Sequence, residues 1–95
     1  MPAYVVAMVN VTDPEKYQGY AKLAGPASDK SGGKFLARGG KSEVLEGKFP
    51  FARLVINEFP TVEAAKRFWN SPEYQEARSK RLVAADFNMV VTEGL

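Results

Sequence analysis

The stretch from Phe35 to Tyr74 constrains the fold of this chain more than any other part of it. It reads FLARGGKSEVLEGKFPFARLVINEFPTVEAAKRFWNSPEY. Two runs of strand character flank glycine-containing turns, a helical pattern follows at once, and Ser71-Pro72-Glu73 opens a second helix. Strand, strand and helix in immediate succession leave few topologies open, and the flanking segments narrow them further.

Upstream, Ala3 to Val11 is nearly all apolar, with Tyr4, Val6 and Met8 on one alternate face and Val5, Ala7 and Val9 on the other. A strand apolar on both faces is covered on both. Asp13-Pro14-Glu15 starts a helix: Asp13 caps, Pro14 suits the first helical position, and Glu15 complements the positive end of the dipole. Tyr17, Tyr20, Ala21, Ala24 and Ala27 then recur at helical spacing, and Gly25-Pro26 inside that pattern predicts a kink or break. Ser31-Gly32-Gly33 ends the element. Lys34 to Ala37 reads as a short strand, Gly39-Gly40 as a bulge or bend, and Ser42 to Glu46 as the strand resumed.

After a turn containing Pro50, Arg53 to Phe59 is a strand with Leu54, Ile56 and Glu58 on one side and Val55, Asn57 and Phe59 on the other. Thr61 caps a helix carrying Val62, Ala65, Phe68 and Trp69, and the helix begun at Ser71 extends to about Ala84. Asp86 to Thr92 is the last strand. The order β-α-β-β-α-β is the ferredoxin-like α+β arrangement, a four-stranded antiparallel sheet with its helices on one face. One domain over residues 1–95 is expected, and the bare sheet face calls for a second copy of the chain, a homodimer.

Composition excludes much chemistry. The 95 residues contain no Cys and no His, so disulfides, thiolate nucleophiles, His-ligated metal or haem, and imidazole bases are ruled out within the chain. No cofactor is expected. A net charge of +2 does not imply a polyanionic partner. RNA binding of the kind seen in ferredoxin-like RNA-binding domains is not expected, because Pro50 interrupts the only stretch near the required aromatic pattern, GKFPFARLVI. MPAYVVAMVNV lacks a basic leader and no run reaches membrane-spanning length, so a cytoplasmic location without membrane partners is expected.

Four motif pieces, GGKFLARGG (32–40), EVLEG (43–47), INEFP (56–60) and SPEYQ (71–75), together resemble domain-of-unknown-function family 1330, a branch of the dimeric α+β barrel superfamily. The resemblance spans essentially the whole chain. It implies two sheets packed face to face in a dimer and no particular activity; the wider superfamily includes cofactor-independent monooxygenases, dehydratases and haem-handling enzymes. The chain departs from the family pattern at Ser31, where many relatives carry His, and at Phe49, where many carry Trp.

Arg38 and Glu58 stand out as charges inside otherwise apolar strands. Either they form an internal ion pair that fixes strand register, or they line a cavity between sheet and helices. In the second case Arg38 anchors a small acidic or carbonyl compound, Glu58 is a general base and Tyr74 a proton donor at the rim. Gly39, Trp69 and Arg81 are then further candidate substrate contacts, each with a plainer alternative: a strand bulge, a core aromatic and a solvated basic helix face. Three functional classes remain: an enzyme without metal or cofactor, a non-catalytic small-molecule binding module, and a purely structural dimer.

Overall fold

The computed structural model describes residues 1–95. β1 (Ala3–Val11) lies inside a sheet of order β2-β3-β1-β4, formed with β2 (Lys34–Arg38), β3 (Arg53–Phe59) and β4 (Ala85–Glu93). All pairings are antiparallel. α1 (Pro14–Lys30), α2 (Val62–Asn70) and α3 (Pro72–Arg81) connect them. The architecture is the ferredoxin-like one. The molecule is a slab 31 × 30 × 16 Å, two layers thick. The buried core lies between sheet and helices: Val5, Ala7 and Val9 from β1, Tyr17, Tyr20 and Ala24 from α1, Phe59 from β3 and Phe68 from α2. No helix is long and apolar enough to cross a membrane.

The helix starts follow their sequence signals. Asp13 accepts from the Lys16 amide (3.1 Å), Thr61 from Ala64 (3.0 Å) and Ser71 from Tyr74 (3.1 Å), each satisfying an amide that lacks an intrahelical partner. Of the kink or break expected at Gly25-Pro26, the break does not occur; α1 runs through Pro26 to Lys30. Pro26 sits on the exposed side, where the carbonyl it leaves unpaired can meet water, and Gly25 has no Cβ to clash with the proline ring. Buried Ala24, Ala27 and Ser28 anchor the helix on either side of the proline.

Of the two alternatives at Gly39-Gly40 the bend is found, with Gly39 at φ +73°, while a bulge lies upstream between Phe35 and Ala37. One expectation for this region is corrected. Residues 42–46 form no strand: the β2–β3 ladder ends with Arg38 opposite Val55, and the loop beyond has nothing to pair with, leaving Leu45 99% exposed. That loop is tied down at its far end by Asn10, which donates to the Pro50 carbonyl (2.8 Å) and accepts from the Ala52 amide (2.7 Å).

Strand alternation sorts the side chains. Val55, Asn57 and Phe59 face the helices. Tyr4, Val6 and Met8 of β1, with Leu54 and Ile56 of β3 and Val90 of β4, form the opposite face, which carries no layer of its own.

Candidate functional site

On the helix side of the sheet, β2 and β3 carry Arg38 and Arg53 to a cleft that runs inward beneath α1. Tyr17 and Tyr20 wall it from the helix, Asn57 from β3, and Phe87 and Met89 from β4. The enclosed space is about 40 Å³, room for about three water-sized groups. No carboxylate lines it. The structure's ion pair, Lys30 with Glu73 at 3.9 Å, lies on the surface.

Each guanidinium near this cleft is held by neutral groups. Arg38 donates from Nη2 to the Ala21 carbonyl (3.2 Å), and its Cζ lies 4.2 Å from the Phe35 ring centroid. Arg53 lies 5.6 Å from the Tyr17 ring centroid, and its buried Nε has no partner. Arg81 comes from α3 and is only 7% exposed. Its Nε donates to the Tyr74 hydroxyl (3.3 Å), and its Cζ sits 4.0 Å from the Phe87 centroid and 5.9 Å from that of Tyr20, two rings of the cleft wall. Cation–π contact offsets part of the cost of burying such a charge, yet no anion completes the set.

The phenols respond to this environment. The Tyr20 and Tyr74 hydroxyls are 3.1 Å apart. Burial, then the neighbouring Tyr74, pushes the Tyr20 phenol far above its ordinary range, against the pull of Arg81. Burial also raises Tyr17, while Arg53, Arg38 and Arg81 draw it back down. Both phenols are therefore neutral at physiological pH. Gly39 makes room for this cluster: its φ is +73°, and a Cβ there would fall within 2.7 Å of Arg53 Nε.

The residues expected from sequence are only partly brought together. Arg38 faces the cleft, but Glu58 lies on the opposite face, with Tyr4 and Lys34 as its strand partners. The two form neither a register-fixing ion pair nor a shared cavity within one chain. Burial and the adjacent Glu58 carboxylate instead raise the Tyr4 phenol. Tyr74 is not at a rim; it is 0% exposed, packed beneath Tyr20. Gly39 borders the Arg53 side chain, which fills the space expected for a ligand. Trp69, 38% exposed, lines a separate groove of about 240 Å³ between α2 and β4, with Arg78 5.4 Å from its ring centroid. Arg81 points inward. Sequence reasoning did not single out Tyr17, Tyr20, Arg53 or Asn57. Asn57 alone left a signal, a polar residue sharing a strand face with Val55 and Phe59.

The profile of the family described as Domain of unknown function (DUF1330) matches residues 2–95, and the chain belongs to that family. No curated protein matches the sequence. Among solved structures, a protein of unknown function from Rhodopseudomonas palustris superposes with a TM-score of 0.82 at 24% identity, covering 99% of this chain and 82% of that one. A dimeric ferredoxin-like protein of unknown function from Jannaschia gives 0.73 at 11% identity, over 99% and 100% of the two chains. SnoaB, a cofactor-independent oxygenase from Streptomyces nogalater, gives 0.66 at 10% identity, over 99% and 93%. These likenesses establish the fold.

Proposed function

We propose that this chain is a small-molecule binding protein whose ligand is a small organic anion, seated in the cleft between α1 and the sheet. One observation carries the reading: Arg38, Arg53 and Arg81 surround the cleft and its wall, and no carboxylate lines it. Like charges gathered beside low-dielectric walls raise the free energy of the empty site, and an anion relieves it. Arg38 and Arg53 are the direct contacts, and Arg81 supplies charge from behind Tyr20 and Phe87. A planar guanidinium matches a carboxylate through two hydrogen bonds.

The expected result is that Arg53→Gln weakens binding of a small carboxylate about 10- to 100-fold, the scale of a charge-assisted hydrogen bond. Isothermal titration at low salt measures it, with Lys66→Gln as a remote charge control. Equal affinity in the two variants overturns the reading.

Turnover is a second reading with one observation behind it. The Tyr20 phenol, kept neutral by burial, meets the Tyr74 hydroxyl next to Arg81, an arrangement that can donate to a developing oxyanion. Since Glu58 lies on the far face, the cleft has no carboxylate base, so binding fits it better.

The bare sheet face supports a homodimer as the form in which the protein works. Tyr4, Val6, Met8, Ile56 and Val90 form a continuous patch, and the Jannaschia neighbour is described as dimeric. Light scattering is expected to give about twice the 10.4 kDa chain mass, and Val6→Lys is expected to give the monomer. A wild-type monomer at micromolar concentration sinks this part of the proposal.

A further inference from the structure

The cleft contains one polar atom that the arginines do not explain. Asn57 is 3% exposed, and its Nδ2 donates to the Ser28 hydroxyl at 2.8 Å. The other end of the same amide, Oδ1, is buried without a hydrogen-bond partner, and Asn57 lines the cleft. An unsatisfied buried amide atom is costly, and in a binding site it marks where a ligand group belongs.

Resting on the anion-binding reading above, we infer that the ligand is a small hydroxy acid: its carboxylate meets Arg38, and its hydroxyl pairs with the free end of the Asn57 amide. A hydroxyl is both donor and acceptor, so it satisfies that end whichever way the amide is turned about the Ser28 contact. A keto oxygen can only accept. The enclosed 40 Å³ suits the few atoms around a hydroxyl-bearing carbon, while Arg38 stays exposed at the mouth. Apart from Arg38, Arg53 and Asn57, the cleft is lined by Ala, Val, Met, Phe and Tyr side chains, which favour an apolar remainder over a second charge.

The test uses matched acids, lactate against propionate and glycolate against acetate, titrated into the intact protein and followed by NMR. The hydroxy acid of each pair is expected to bind about tenfold more tightly, the scale of one buried hydrogen bond. Asn57→Leu is expected to erase that gap while the deoxy acids keep their affinity. In wild type, the Asn57 side-chain amide signals are expected to move with lactate and stay in place with propionate, which decides the matter even if Asn57→Leu does not fold. Equal affinity within each pair, with Asn57 unmoved, overturns the hydroxyl assignment and leaves the anion site standing. If none of the four acids binds, the anion reading fails and takes this inference with it.

Discussion

Replacing Gly33 with Ala is expected to destabilise the protein by about 2–3 kcal/mol, the upper part of the range for overpacking a core. For a domain of this size the melting temperature falls by on the order of 10–20 °C. The reason is local and geometric. Gly33 leaves α1 with its amide bonded to the Ser28 carbonyl at 2.9 Å. A Cβ at this position would collide with the Ser28 hydroxyl and come within 2.8 Å of the Phe59 ring. Neither neighbour can yield. Ser28 is fully buried and holds Asn57, and Phe59 is fully buried against Phe68, ring centroids 5.2 Å apart. Gly40 is the internal control: it has open space where a Cβ would go. Gly40→Ala is expected to change stability by no more than about 0.5 kcal/mol, as surface substitutions do. Thermal unfolding of the two variants checks both. Equal, small effects show that the GGKF turn tolerates a side chain and that its glycines serve only as a helix stop.

The contrast between those glycines shows what was legible in the sequence. Periodicity and caps carry the fold, because Asp13, Thr61 and Ser71 act through their nearest amides and β1 alternates cleanly. The site was harder, and the β2 bulge is the physical reason. In a regular strand Lys34, Leu36 and Arg38 share a face, and since Lys34 pairs with Glu58, Arg38 would share a face with Glu58 as well. The register shift between Phe35 and Ala37 turns Arg38 over to the face of Phe35, beneath the helices. A single extra residue thus separates the charges that sequence pairs, and no glycine or proline between Phe35 and Ala37 marks it. Arg81 was ambiguous for a different reason. In Arg78-Ser79-Lys80-Arg81 the choice of which cation turns inward depends on how α3 rotates against α1 and β4, a tertiary property that helical spacing does not encode. Tyr17 and Tyr20 were legible only as members of the helical repeat of α1. Their hydroxyls acquire meaning only beside Arg53, Arg81 and Tyr74.

Arg81→Met is expected to make the protein more stable and a poorer anion binder. Arg81 is a buried cation whose partners are a phenol and two aromatic rings. Replacing buried charges with apolar residues of similar volume commonly gains about 1–4 kcal/mol, because the desolvation penalty disappears. Met keeps the length and the ring contacts, its sulfur packs well on aromatics, and Tyr74 retains Tyr20 as a hydrogen-bond partner. The melting temperature is therefore expected to rise by on the order of 5–10 °C. Affinity for a small carboxylate is expected to drop about tenfold at low salt, through loss of a nearby positive charge in a poorly screened site. Arg81→Lys separates charge from geometry: it retains affinity if the field is what matters. If Arg81→Met instead melts lower and binds carboxylates as wild type does, Arg81 is part of the frame through its bond to Tyr74, and the cleft's charge reduces to the two strand arginines.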